Sequence, residues 1–485
     1  MTSVAVLGGG ITGLSAAYYL TSLQLINVCL PQVVLLESSS RLGGWLQSTR
    51  TEEGAIFEHG PRSLRVAGEA GANVLEMADD LGLSDQILPV LPSHEGAKNR
   101  FIYAGGKLHK LPSNFSGLFS RYELFGHQSP ALLGLREPFV KSRQEEGDES
   151  VHSFFCRRLG KQFTDNAIDP MVRGIYAGDC RKLSIQALFP SMQQAERMKG
   201  SITRGLLFGP KQKGTPLKIN SELLQKAQKE RWALWSLREG LETLARSLKE
   251  NLEKSGVELL TERRVERLEF DTTDQVNTLD EQLHVNHVIS AVPSQCLSAM
   301  FAGHHPVLSD NLSVNPSVTV GLVNLEFAGA VLPSEGFGYL VPSGEPERIL
   351  GVVFDSSIFP QHSRPNSTTT RLTVMMGGSW FQEQFGDPDE VETSDLLEVA
   401  IETVRRHLSI TASPLRSFTT VQKDCIPQYT LGHTDRLEQM ESYIAEKRLP
   451  LSLVGLSYRG WGVNDCVLSA RKAVTDLLKA WEGRD

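Results

Sequence analysis

Ser3-Val4-Ala5-Val6-Leu7-Gly8-Gly9-Gly10-Ile11-Thr12-Gly13-Leu14-Ser15-Ala16-Ala17-Tyr18-Tyr19-Leu20 decides how this chain begins to fold. A short apolar run, a glycine cluster and an apolar-rich run predict a strand, a tight turn and a helix. Gly8, Gly10 and Gly13 stand in the G-x-G-x-x-G spacing, with Gly9, Ile11 and Thr12 as the intervening backbone. The first glycine permits the turn, the second lets backbone approach a pyrophosphate, and the third lets the helix lie close on the strand. The helix N-terminus then faces phosphate charge. A second apolar run, Val33-Val34-Leu35-Leu36, ends in Glu37, whose carboxylate suits ribose hydroxyls. The interval from Gly13 to Glu37 exceeds the usual roughly 20 residues, and Thr21–Gln32 is read as a looped insertion. The whole pattern predicts dinucleotide binding.

Glu37 runs into Ser38-Ser39-Ser40-Arg41-Leu42-Gly43-Gly44-Trp45, and Phe57-Glu58-His59-Gly60-Pro61-Arg62-Ser63 follows. Paired glycines bring backbone N–H groups to a phosphate a second time, and Arg41 adds positive charge. The bland alternative is a glycine-rich surface turn.

With 485 residues the chain is long enough for two or three domains, and 40% hydrophobic with 22% charged residues is ordinary for a globular protein. A net charge of −8 argues against a general nucleic-acid binder. Cys29, Cys156, Cys180, Cys296, Cys425 and Cys466 form no C-x-x-C pair, which argues against a zinc site or a disulfide framework. His304-His305 reads as a solvated turn, and no metal is expected. No apolar run reaches the roughly 18 residues of a membrane span. No secretory or Arg-rich leader is expected ahead of the first strand.

Residues 111–144 change character. Phe115, Leu118, Phe119, Leu124, Phe125, Leu132, Leu133, Leu135 and Phe139 alternate with Ser, Gly and Pro. They read either as a helical subdomain with its own small core or as a surface that dips into a membrane interface. Residues 197–231 place Arg197, Lys199, Arg204, Lys211, Lys213, Lys218, Lys226, Lys229 and Arg231 around the apolar Leu206-Leu207-Phe208, as a segment on anionic lipid would, or a plain solvated face. A helix is predicted from Leu237 to about Gly256. Strands are predicted over Val257–Thr261, Arg264–Phe270, Leu283–Val292, Ser317–Val323 and Thr370–Met376, with a loop over Gln361–Thr370. The end of the chain repeats the opening device: strand Leu451–Gly455, a glycine-rich turn Leu456–Val463, and helix Asn464–Ala480. Its helix N-terminus can stabilise negative charge on a ligand.

The Glu37–Trp45 and Phe57–Arg62 runs resemble the FAD-dependent amine oxidase and protoporphyrinogen oxidase superfamily. Four further runs resemble the animal-type protoporphyrinogen oxidase family over nearly the whole chain. They are Lys98–Tyr103, Gly336–Pro342, Met375–Trp380 and Ile426–His433. The resemblance implies an α/β fold: a Rossmann-like, doubly wound FAD-binding domain, a mixed-sheet substrate domain and a helical membrane-associating domain. It divides the chain into FAD-binding segments 1–95, 239–296 and 431–485, and substrate-domain segments 96–110 and 297–430. The helical domain is 111–218, with a substrate-domain linker at 219–238.

Carried over residue by residue, the resemblance gives FAD the Gly8–Gly13 turn, Glu37, Ser38, Arg41, Gly44, Trp45, Gly60, Pro61, Arg62 and Ser63. It adds Val265 at the adenine and Gly455, Trp461, Gly462 and Val463 in the last turn. With no cysteine in that turn, FAD is expected to be non-covalent. Arg100 is expected to pair with a substrate propionate, since a guanidinium fits a carboxylate bidentately. Phe337 and Leu340 are expected to clamp a pyrrole ring, Met375 to fill the opposite wall, and the Gly338 carbonyl to accept pyrrole N–H bonds. No catalytic side chain is expected, because flavin N5 carries the chemistry. The implied reaction is the oxidation of protoporphyrinogen IX with O2, giving hydrogen peroxide, in haem synthesis. The implied setting is a homodimer lying peripherally or monotopically on the intermembrane-space side of the mitochondrial inner membrane. Glu239 and Ala470 depart from the family pattern, where glycine is frequent. An amine oxidase and a non-enzymatic FAD-stabilised binding protein remain the competing readings.

Overall fold

The computed structural model describes residues 2–23, 30–143, 147–209, 221–270, 276–278, 283–301 and 303–482. Part of the predicted Thr21–Gln32 loop, and Lys211, Lys213, Lys218 and Cys29, lie outside them. The chain forms two compact units: Met1–Leu91 with Leu217–Asn315 and Asp435–Asp485, and Pro92–Pro216 with Pro316–Thr434.

The first unit is built on a five-stranded parallel sheet in the order Glu258–Leu260, Gln32–Leu36, Ser3–Leu7, His287–Ser290, Leu451–Leu453. Both faces are apolar, as a parallel sheet covered on both sides requires. On one face Val4, Val6, Val33 and Leu35 pack with helix Ile11–Ser22, helix Glu242–Lys254 and helix Val463–Glu482. On the other, Ala5, Leu7, Val34 and Val288 pack with Leu297, Phe301, Leu308, Leu312, Leu437 and Met440. The small residues Ala16 and Ala17 let the first helix be buried on nearly every side. The predicted doubly wound domain is therefore present, and its first and last segments lie in one unit.

Three expected elements take a different form. The helix expected from Leu237 begins at Glu242, because Leu234–Leu237 is a strand pairing with Ile87–Val90 and Leu64–Arg65. Gly240 turns the chain between them at φ +88°, and Glu239 pairs with Arg50, so the departure at Glu239 leaves the turn intact. The single strand expected over Leu283–Val292 is two strands in different sheets. Leu283–Val285 joins an antiparallel ribbon with Leu268–Phe270 and Val276–Thr278, whereas His287–Ser290 joins the parallel sheet. Asn286 makes the switch: its amide and side-chain oxygen bind the Ser3 carbonyl and N–H. Of Arg264–Phe270, only Leu268–Phe270 is a strand.

The second unit holds a seven-stranded mixed sheet, ordered Arg416–Pro427, Ser317–Ala328, Thr369–Gly378, Ile349–Val353, Gly338–Leu340, Phe101–Ala104, Lys107–Lys110. All pairings are antiparallel except Gly338–Leu340 with Phe101–Ala104. One face is covered by helix Thr393–Leu408 through Leu396, Ala400 and Val404. Residues 111–209 add short helices, among them Pro130–Arg136, Val151–Leu159, Asp169–Tyr176, Pro190–Lys199 and Ile202–Phe208. The basic stretch read as one segment divides between units. Arg197, Lys199 and Arg204 belong to the second, and Lys226, Lys229 and Arg231 belong to the first.

Candidate active site

In the first unit the two glycine turns meet. Glu37 uses both carboxylate oxygens: Oε2 accepts from Gly9 N at 2.7 Å and Oε1 from Ser39 N at 2.8 Å. Ser38 is exposed, with its hydroxyl 3.4 Å from Glu37 Oε1. Gly43 N donates to Gly9 O at 2.8 Å, so the second glycine pair lies against the first. Arg41 shapes this turn. It donates to Leu42 O at 3.0 Å, to Leu46 O at 3.1 Å and to Gly44 O, and it pairs with Glu242. The charge expected for a phosphate is thus engaged by the loop itself. Trp45 is partly exposed, and its carbonyl lies where a side chain at Gly60 would be. Pro61, Arg62 and Ser63 are half-buried beside it. His59, missed by sequence reasoning, is buried with Nε2 2.6 Å from Thr49 Oγ1. Burial lowers its pKa, Glu242 opposes this, and Arg62 lowers it further.

From the last turn, Gly455 lies against Thr12: a Cβ there would stand 3.1 Å from Thr12 Oγ1. Gly455 N donates to Ser469 Oγ at 3.1 Å, and Trp461 N donates to Asp465 Oδ2 at 2.9 Å. Val463 begins the last helix. Val265 is buried beside Val34 and Val288. The neighbouring Arg263 N donates to Glu37 O at 2.8 Å, which keeps this segment at the Glu37 end of the sheet.

These residues fit a dinucleotide. The first helix opens at Gly10 with no side-chain cap, so its leading N–H groups have no side-chain acceptor. A Cβ on Gly10 would meet nothing nearer than Gly44 Cα at 3.9 Å, and one on Gly462 would meet nothing within 4 Å. Glycine at these two positions is not demanded by neighbouring protein atoms. It leaves space for a ligand to approach the backbone.

In the second unit the expected substrate residues lie on or just before strands of the mixed sheet. Phe337 N donates to Asn99 O at 2.8 Å, and the Arg100 guanidinium lies 5.8 Å from the centre of the Phe337 ring. Leu340 is paired with Gly351, and Gly351 with Met375. Directly opposed residues share a sheet face, so Leu340 and Met375 flank a residue with no side chain. Two strand spacings, about 10 Å, separate them. Gly338 takes φ +132° at the head of its strand.

Tyr339, between Gly338 and Leu340, points the other way. Its hydroxyl lies 2.9 Å from His407 Nδ1, His407 stacks on Tyr103 with centroids 3.5 Å apart, and its Nε2 is 3.3 Å from Glu347 Oε1. Burial, reinforced by Arg406, brings the His407 pKa down to about 4. Burial raises the Glu347 pKa against the pull of Arg406. Sequence reasoning missed this cluster, and also Arg173. The Arg173 guanidinium is buried over the Trp380 ring and donates to Val341 O and Pro342 O at 3.1 Å each. Burial lowers its pKa to about 10. Nothing in the local sequence marks these residues, because the groups that His407 and Arg173 bond or stack on are distant in the chain.

A family described as flavin containing amine oxidoreductase matches residues 11–478. The chain is 43% identical over 479 residues to the protoporphyrinogen oxidase of Homo sapiens, with 98% of each chain covered. It belongs to the protoporphyrinogen oxidase family. Identity to the protoporphyrinogen oxidase of Schizosaccharomyces pombe is 32% over 505 residues, again with 98% of each chain covered. The fold is shared with a putative protoporphyrinogen oxidase from Exiguobacterium sp. 255-15, with TM-score 0.76 and 23% identity over 98% of both chains. The expectation of a flavin-dependent oxidoreductase with a mixed α/β fold therefore holds.

Proposed function

We propose that this chain oxidises protoporphyrinogen IX to protoporphyrin IX in haem synthesis, with FAD held non-covalently and O2 as the acceptor. Three two-electron rounds convert one porphyrinogen and three O2 into one porphyrin and three hydrogen peroxide. The observation that carries the reading is the Leu340–Gly351–Met375 register beside Arg100 and Phe337. Apolar side chains at Leu340 and Met375 suit a flat tetrapyrrole, and a guanidinium beside Phe337 suits a propionate.

When bound, FAD supplies the hydride acceptor at N5. The chain's own work is orientation and exclusion of water. Gly8–Gly13, Glu37, Ser38, Gly44, Trp45, Gly60–Ser63, Val265, Gly455 and Trp461–Val463 hold the dinucleotide, with Arg41 keeping the second turn in shape. Arg100 binds a propionate, Phe337 and Leu340 hold one pyrrole face, Met375 walls the other side, and the Gly338 carbonyl accepts pyrrole N–H groups.

The protein works as a homodimer on the intermembrane-space face of the mitochondrial inner membrane. No helix among the described residues is long and apolar enough to cross a membrane. Exposed apolar side chains instead concentrate in the second unit, at Phe115, Phe119, Leu135 and Phe139 and at Leu206, Leu207 and Phe208; Phe139 is 85% exposed. A patch of this kind supports peripheral attachment.

Aerobic turnover of protoporphyrinogen IX by the purified protein, read as porphyrin fluorescence, tests the activity. An amine-dependent peroxide signal without porphyrin would favour an amine oxidase, and failure of porphyrinogen to reduce the flavin anaerobically would favour a binding protein. Flotation with anionic liposomes tests the membrane reading, and failure to float without detergent sinks it.

A further inference from the structure

Gly174 lies inside helix Asp169–Tyr176, where glycine is the poorest helix former after proline. Its backbone is ordinary helix, so conformation does not demand glycine. Space does. A Cβ built on Gly174 has as its three nearest atoms the two δ-carbons of Leu340, both closer than carbon atoms can sit, and its γ-carbon at 3.1 Å. On its other side Leu340 leans over Gly351, whose Cβ would stand 2.9 Å from Leu340 Cδ2. Leu340 thus lies in a socket between two glycines.

The helix wall and the strand that carries Leu340 are tied in place. The helix is tied to the segment after Leu340 at two points: Arg173 holds Val341 O and Pro342 O, and Asp169 accepts from Ser343 N at 2.6 Å and Ser343 Oγ at 2.9 Å. The strand is held from its opposite face by the Tyr339–His407 bond and on both edges by its ladders. Leu340 itself is half-buried, and it also packs against the cluster of Ile102, Ala104, Leu124 and Phe125.

We propose that Gly174 is a positioning residue that sets how far Leu340 projects into the space for the substrate ring. This rests on the reading that Leu340 faces substrate. Gly174→Ala would push the δ-carbons out of the socket and narrow that space, while the helix itself gains a better helix former.

The test is a double-mutant cycle on the FAD-loaded, full-length protein, with Gly174→Ala, Leu340→Ala and the pair. Gly174→Ala is expected to raise KM for protoporphyrinogen IX roughly tenfold, a single-methyl misfit in an apolar pocket, with kcat and the flavin spectrum kept. In the Leu340→Ala background the same change is expected to do nothing, because no δ-carbons remain to be displaced. An equal KM effect in both backgrounds, or no effect in wild type, overturns the proposal. If Leu340→Ala alone leaves KM unchanged, the substrate-wall reading falls instead. Should Gly174→Ala fail to fold, the double variant is expected to fold, and its failure too would overturn the socket.

Discussion

Replacing Glu137 by Gln should loosen the helical part of the second unit while leaving flavin in place. Glu137 is 1% exposed and accepts from four residues: Arg158 through Nη2 and through Nε at 2.7 Å, Ser201 Oγ at 2.5 Å, Ile202 N at 2.8 Å and Thr203 N at 3.0 Å. Three of these lie at the start of Ile202–Phe208, the helix that carries the exposed Leu206, Leu207 and Phe208. Removing one partner of a buried ion pair costs about 3–5 kcal/mol. Arg158 keeps a second carboxylate, Glu196 at 3.2 Å, which puts the loss at the lower end, about 3 kcal/mol. For a unit of roughly 250 residues this is a fall in Tm of about 6–12 °C.

The pH dependence has a definite sign. Burial pushes the Glu137 pKa up, but the Ser201 hydroxyl, the Thr203 N–H, Arg158 and the Ile202 N–H outweigh it and bring it to about 2. Its folded pKa is below its unfolded one, so its contribution is complete above about 4.5 and is lost as pH falls toward 2. Urea unfolding should show a constant gap between wild type and E137Q from pH 8 to 5 that narrows below pH 4. A gap under 1 kcal/mol at neutral pH, or one that widens in acid, would refute the reasoning.

Three other changes separate cofactor, substrate and stability. Gly10→Val should give folded but colourless protein, since the space it fills holds no protein atom nearer than 3.9 Å to the Cβ; a fully yellow variant counts against the cofactor site. Arg100→Ala should keep its FAD but lose kcat/KM roughly 10- to 100-fold, the loss of a charged hydrogen bond worth about 1.5–3 kcal/mol, mainly through KM. Normal turnover, or flavin loss in proportion to activity, excludes the propionate role. His407 refuses a proton down to about pH 4 in the folded state, so stability complete above about 6.5 should decline toward pH 4 by on the order of 2–3 kcal/mol. H407Q should remove that slope, and an unchanged slope between pH 7 and 5 would show that another group titrates.

The dinucleotide half of the fold was legible because its chemistry is written locally. Gly8 to Gly13 and Gly455 to Val463 each encode strand end, turn and helix start within about a dozen consecutive residues, and Glu37 closes the next strand. What the sequence concealed were places where one run serves two partners. Leu283–Val292 carries the apolar residues Leu283, Val285, Val288, Ile289, Ala291 and Val292 with no glycine or proline to break it, yet it crosses between sheets at Asn286, whose side chain takes the Ser3 N–H. Leu237 looked like a helix start because periodicity continues into Glu242–Lys254. Its role as the end of a strand depends on Ile87–Val90, some 150 residues earlier in the chain.

The residues proposed for the substrate show the same division more sharply. Phe337, Gly338 and Leu340 were found through the run that contains them, but what fixes Leu340 was not there to read. Its socket is made by Gly174 from a helix and Gly351 from a neighbouring strand, and its strand is anchored by His407 from a third element. A glycine in a phosphate turn announces itself by spacing to other glycines. A glycine that makes room for a distant leucine carries no such mark, and inside a helix it reads only as a weak position. The two kinds also answer mutation differently. A side chain at Gly10 is expected to compete with a ligand and not with protein atoms, so the protein should still fold. One at Gly174 competes with Leu340, so its effect should vanish when Leu340 is shortened.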